Sequence, residues 1–275
     1  MISFARLIAA LALTCGAASA GVAAQPKALQ PTEKWVVNFG ESQCLASRNY
    51  GPPGKPLYLV LKPSPIGHVM QLSVVRKANW GGGDAAQLPA TVRFDEAEPI
   101  KSSMLGYTFS KDDVRISLVN LPSDKFAVAR QAKAVSIQSH GELNETFVLA
   151  QMGSLMTAID RCVTELQQDW NIGEANGRQL KERARPKANL ASYVSDDDYP
   201  AVALENNQAG EVGIALLIDE TGKLADCMVI ETSGVASLDA QSCATFMERA
   251  KFISAVGADG KPAKDGLISR IRWVN

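Results

Sequence analysis

The stretch DCMVIETSGVASLDAQSC, residues 226–243, decides the fold: a β-rich run, a turn containing glycine, then residues at helical spacing, with a cysteine at each end. Successive strand side chains alternate, so Cys227 and Val229 share one face and Met228 and Ile230 the other. In the helix that follows, Ser237 can cap the start and Asp239 suits the positive end of the dipole. Cys243, Met247 and Ala250 stack at helical spacing with Ala240 and Phe246 beside them, which centres Cys243 on the buried face. If the helix covers the Cys227 face of the strand, the two sulfurs meet in a core and staple helix to strand. A loop of this size contributes roughly 3 kcal/mol in the chain-entropy model.

A staple needs an oxidising compartment, and the N-terminus bears on that. MISFARLIAALALTCGAASAGVAAQ places one cation, Arg6, before an apolar run and then small residues, the layout of a secretory signal peptide. Small-x-small sites fit cleavage before Gly21 or before Gln25, the longer version spanning residues 1–24. The rival is an uncleaved anchor, since Leu7 to Ala24 is about 18 residues, near the lower limit for a spanning helix. Cleavage predicts an exported, periplasmic chain with no remaining membrane span. It removes Cys15 and leaves four cysteines, the even number expected of two disulfides. Cys44 follows the first strand-like run, and Cys162 sits on the apolar stripe of a later helix, so Cys44–Cys162 and Cys227–Cys243 are the expected pairs. No C-x2-C spacing and only two isolated histidines, His68 and His140, argue against a metal, and no cofactor is expected. Loss of Arg6 leaves 27 Lys and Arg against 29 Asp and Glu, no footprint for nucleic acid.

A composition break divides the chain. NIGEANGRQLKERARPKANLAS, residues 171–192, is polar and charged and reads as a linker, part helical from Glu182 to Arg185. Before it, residues 31–170 form an α+β domain of unknown function. Strand-like runs start at Trp35, Leu57, Val69, Ala90 and Val114, an antiparallel sheet closed by the long amphipathic helix MGSLMTAIDRCVTELQQDW at 152–170. Features that invite catalytic readings are weak: WGGGD at 80–84 reads as a hairpin tip, and SHGE at 139–142 as a solvated turn. No convergent acid, base or nucleophile is visible, so the chain is not expected to be an enzyme.

After the linker, residues 193–275 carry an ordered set of short motifs: Tyr199-Pro200, a helix-like AVALENN, a hairpin around DETGK, Thr232-Ser233-Gly234, Leu238-Asp239, a helix into RAKF, then DGKP and a last strand LISRIRW. Together they resemble the C-terminal domain of TonB. The chain departs from that family at Ser254, where members often carry proline. The resemblance implies a three-stranded antiparallel sheet with its helices on one face. It also implies a periplasmic module that captures an extended segment of an envelope protein, such as an outer-membrane transporter, by strand addition. Tyr199 and Pro200 match the family motif ahead of the sheet. The last strand is the expected edge, which makes Ser269, Arg270, Ile271, Arg272 and Trp273 the partner-binding residues, with Leu267, Ile271 and Trp273 beneath the helix. A TonB-type transducer keeps its N-terminal helix and has a long Pro-rich spacer, neither of which this sequence suggests. A membrane-anchored transducer and an envelope enzyme acting through the first domain are the alternative readings.

Overall fold

In the computed structural model, residues 28–78, 86–109, 113–173, 176 and 179–274 are described. The stretch 1–24, expected as a signal peptide, and the WGGGD stretch lie outside them. The fold is mixed α/β, dominated by antiparallel sheets with few helices. Nine strands come first: β1 (Val36–Phe39), β2 (Cys44–Asn49), β3 (Leu57–Pro63), β4 (Val69–Lys77), β5 (Ala86–Phe94), β6 (Ile100–Phe109), β7 (Val114–Pro122), β8 (Ala134–Ser139) and β9 (Leu143–Val148). Between β7 and β8 lies a short helix α1 (Ser123–Phe126), and after β9 comes α2 (Met152–Asp169). The strands form one antiparallel sheet ordered β1-β2-β3-β4-β7-β6-β5-β8-β9.

The expectation that the long helix closes this sheet is corrected. Nine strands at about 4.8 Å spacing make a surface far wider than one helix of about 10 Å diameter can cover. The sheet instead curls into a half-barrel under its own twist. Met152, Leu155, Met156 and Ile159 of α2 join a core lined by Leu59, Leu61, Leu72, Val119 and Phe147 on the concave side. Further along α2, Cys162 bridges Cys44 of β2, with Cα atoms 6.1 Å apart.

The segment expected as a linker is tied down. Its strands β10 (Leu180–Glu182) and β11 (Arg185–Pro186) pair with β15 (Ala255–Gly257) and β14 (Phe252–Ile253). Residues 182–185 are therefore extended rather than helical, as Pro186 favours for the residue before it. Between these strands Arg183 grips the buried Asp265 with two hydrogen bonds, 2.7 and 2.8 Å.

The C-terminal sheet comprises β12 (Gly210–Ile218), β13 (Leu224–Glu231) and β17 (Asp265–Trp273), in the order β13-β12-β17, with the small strand β16 (Pro262–Ala263) beside β15. Its helices are the short α3 (Ala201–Glu205) and α4 (Ala236–Arg249). Val212, Ile214, Leu216 and Ile218 of β12 meet Leu238 and Phe246 of α4 on one face. The DETGK hairpin turns at Gly222, whose φ of +80° suits glycine. Cys227 and Cys243 are bonded on the helix-covered face, with Cα atoms 5.6 Å apart. Two details of α4 differ from expectation. Ser237 does not cap it; Val235 stands at that position, and the carboxylate of Asp239 instead accepts from Ser233 N, Ser233 Oγ and Thr232 Oγ1. Met247 is exposed, and Ser242 and Thr245 take its place in the buried stripe.

The face of the sheet away from α4 is also covered. Ala215, Met228 and Ile230 pack on Val69 from the convex side of the half-barrel, and Leu217 packs on Cys44, Cys162, Leu166 and Trp170. Lys62 of β3 pairs with Asp226 at 3.0 Å. Asn120 of β7 donates its side-chain amide to the carbonyl of Val229 at 2.9 Å.

Candidate functional site

A three-stranded sheet has two edges, and here they differ. On β13 the outward carbonyl of Val229 is occupied by Asn120, whose own carbonyl oxygen accepts from Gln71. On β17 the pairing with β12 runs without a register shift from Asp265 to Trp273. The direction of its backbone groups can be read from Gly266. The N–H of Gly266 bonds to Asp265 Oδ1 and its carbonyl accepts from Arg183, so both point away from β12. Antiparallel ladders alternate inward and outward pairs. Ile268, Arg270 and Arg272 therefore direct N–H and C=O out from the edge, whereas Leu267, Ser269, Ile271 and Trp273 bond to β12. Val229 fits the same alternation: its partner on β12 is Ile214, which stands opposite Ser269.

Beside this edge runs a groove of about 410 Å³. Its apolar lining comes from Leu190, Val194, Tyr199, Phe246 and Trp273, with Arg270, Ile271 and Arg272 along the strand. Trp273 is 3 % exposed; its indole N–H donates to Ser242 Oγ at 2.9 Å. The Tyr199 ring meets it edge to face with centroids 5.4 Å apart, and the Tyr199 hydroxyl donates to the carbonyl of Gln208. Leu267, Ile271 and Trp273 pack against the core beneath α4. Asp198, next in the chain to Tyr199, ties the preceding turn to α4. The Asp198 carboxylate accepts from Ser195 N and Oγ and from Arg249 at 2.7 Å. The Ser195 backbone bond, then the Arg249 hydrogen bond, hold that carboxyl below the usual range.

Of the seven residues expected at the site, five line the groove: Tyr199, Arg270, Ile271, Arg272 and Trp273. Two do not. Pro200 starts α3, its carbonyl accepting from Ala203 and Leu204, and Ser269 turns its backbone to β12. Leu190, Val194 and Phe246 complete the groove and were missed. The first two sit in the stretch read as linker or just past it, although their apolar character in a charged segment was a signal.

The catalytic-looking SHGE stretch has another role. Glu142 reaches over the concave side to Arg115 at 2.8 Å, Arg76 at 3.2 Å and Ser117, so its carboxylate is inside an ion-paired network rather than solvated. Burial pushes this carboxyl up, but the bonds from Arg115 and Ser117 and the charges of both arginines outweigh it and hold it down.

A search of curated proteins found no match to the chain. Residues 196–273, which hold Tyr199, α4 and the whole of the edge strand β17, match the family described as Gram-negative bacterial TonB protein C-terminal.

Proposed function

We propose that this chain is a periplasmic, non-enzymatic binding protein whose TonB-like module captures an extended peptide segment of an envelope partner by strand addition at β17. Residues 31–170 form its first part and residues 193–275 the capturing module. The observation that carries the reading is the asymmetry of the sheet: the outward carbonyl of Val229 on β13 is engaged by Asn120, while Arg270 and Arg272, whose backbone groups point outward from β17, line an apolar groove. A strand added there gains main-chain hydrogen bonds, and alternate side chains enter the groove. Among the described residues no helix is long and apolar enough to cross a membrane. The likeness of residues 196–273 to a Gram-negative TonB segment supports an envelope setting and a partner of the outer-membrane transporter kind.

Proline separates backbone from side chain. Arg272→Pro removes an outward N–H, so folding survives and capture of a transporter-derived extended peptide fails, while Arg272→Ala keeps capture. Ile271→Pro breaks the ladder to β12 and serves as the control for lost folding. Unchanged calorimetric affinity in a folded Arg272→Pro variant, with the peptide bound at wild-type strength, refutes strand addition at this edge.

A further inference from the structure

A second cleft, of about 480 Å³, opens where α2 crosses the loop between β3 and β4. It lies apart from the groove at β17 and shares no residue with it. Its floor is Met70, Phe126, Met156, Ile159 and Ile172, each buried. At the mouth the two charged side chains and two further polar ones are paired, and the exposed His68 and Ser123 stand beside them. Arg130 meets Asp160 at 2.5 Å, Thr164 Oγ1 donates to the Asp160 carbonyl, and Gln167 donates to the carbonyl of Pro65. The deep part thus offers carbon and sulfur, and the mouth offers the Arg130–Asp160 ion pair with the imidazole of His68.

Close-packed interiors leave few voids larger than a water molecule. An open cleft with an apolar floor and a volume within the roughly 300–1,000 Å³ of small-molecule sites is a ligand site by its shape. The chemistry narrows the ligand. A floor without polar partners penalises any buried donor or acceptor. Two methionines give that floor an adaptable surface suited to a flexible chain rather than a rigid ring. The mouth, where Arg130 is balanced by Asp160 and His68 and Ser123 add hydrogen-bonding groups, accommodates a polar head, charged or neutral.

We propose that this cleft binds a single-tailed amphiphile, its aliphatic chain lying on Met70, Phe126, Met156 and Ile159 and its polar head remaining at the Arg130–Asp160 mouth. The free acid and the neutral glycoside of one chain length share this chemistry, so both serve as probes. The full chain is titrated below micelle formation with decanoate and with decyl maltoside, by calorimetry and by methyl spectra of ¹³C-labelled methionine. The expected result is saturable binding of one or both, with the Met70 and Met156 methyls shifting together, and affinity on the order of a hundredfold weaker for hexanoate, which has four fewer methylenes, than for decanoate. Preference for decanoate points to a free fatty acid, and preference for the glycoside to a neutral headgroup. Val163→Phe fills the cleft from α2 and weakens binding by about tenfold or more. Thr164→Trp does so from the exposed mouth and keeps the test alive if Val163→Phe does not fold. Absence of saturable binding with both probes, unmoved Met70 and Met156 methyls, or binding undiminished in the folded variants overturns the proposal.

Discussion

Glu231 and Arg270 meet at 2.8 Å although they lie on the two outer strands of the C-terminal sheet, with β12 between them. They reach each other because the residue between them is Gly213, opposite Glu231 on one side and Arg270 on the other. A Cβ at Gly213 would lie 2.8 Å from the Cβ of Glu231. Both partners are more than half exposed, so solvent screens the pair. Glu231→Gln is expected to change stability by less than about 1 kcal/mol, whereas Gly213→Val, which forces the two outer side chains apart, is expected to cost about 1–3 kcal/mol. Urea unfolding of both variants measures the contrast, and equal losses would contradict it.

The two parts of the chain are expected to unfold together. Leu217 of the C-terminal sheet shares a buried cluster with the Cys44–Cys162 bridge, Leu166 and Trp170. Calorimetry should show one transition for the intact chain, and Leu217→Ala, costing about 2–5 kcal/mol, should lower it as a whole. Two separate transitions in the wild type, with only the second moved by Leu217→Ala, would show that the interface contributes little.

The bridges should differ in weight. Cys44 and Cys162 are 118 residues apart in sequence, and Cys227 and Cys243 are 16 apart. In the chain-entropy model the longer loop contributes about 4.7 kcal/mol and the shorter about 3 kcal/mol. Paired serine replacements, compared by denaturant midpoint under oxidising conditions, are expected to rank in that order. The reverse order would place native-state strain above loop entropy.

Acid acts on two buried carboxylates with opposite sign. Asp198 has its folded pKa depressed, so its contribution is present above the ordinary carboxylate value and lost as pH falls through the lower, folded one. Asp239 is fully buried, and desolvation outweighs the bonds from Thr232 and Ser233 to raise its pKa. Its contribution is complete below the ordinary value and is lost as pH rises through the raised one. Asp239→Asn should therefore flatten the gain in stability on acidifying from neutral pH, and Asp198→Asn the loss at stronger acid. Parallel stability profiles for wild type and Asp239→Asn would refute the first half.

The DETGK turn should tolerate no side chain at its glycine. Gly222 has φ +80°, and a Cβ there would lie 2.2 Å from the carbonyl oxygen of Phe252. Gly222→Ala is expected to destabilise by more than about 1 kcal/mol, whereas Glu220→Ala in the same hairpin is expected to stay within about 0.5 kcal/mol. Thermal midpoints of the two variants give the comparison.

What the sequence made legible follows from what each residue shows locally. The disulfide pairing could be read because Cys162 and Cys243 sit on the apolar stripes of helices and each has one cysteine in or just after a neighbouring strand, and the β17 face because Leu267, Ile271 and Trp273 alternate with Ile268, Arg270 and Arg272. Strands β2, β6, β8 and β9 were not read. In β2 the run CLASRN holds Arg48 and Asn49, which look solvated but are buried. Arg48 is satisfied by the carbonyls of Glu33 and Ala150, and the Asn49 side-chain carbonyl by Gly51 N and Leu57 N. The stripe of α4 was misplaced for a similar reason: Ser242 returns its hydroxyl to Leu238 and receives Trp273, so a polar letter occupies a core position. The groove was half visible because its strand side lies in one motif, while Leu190 and Val194 arrive from a segment whose charge suggested a tether. The anchoring of that segment by Arg183 on Asp265 joins residues 82 apart in sequence.

Asn120 on Val229 has a consequence beyond the fold. A sheet with both edges open can accept one copy of itself on each side, and repeated acceptance makes a fibre. With the outward carbonyl of Val229 taken by an amide of the same chain, the β13 side of the three-stranded sheet lacks an acceptor that an added strand would use. Copies meeting through this sheet are biased to join β17 to β17, which completes a pair and does not extend a row. The half-barrel thereby directs whatever adds to the three-stranded sheet toward its β17 side.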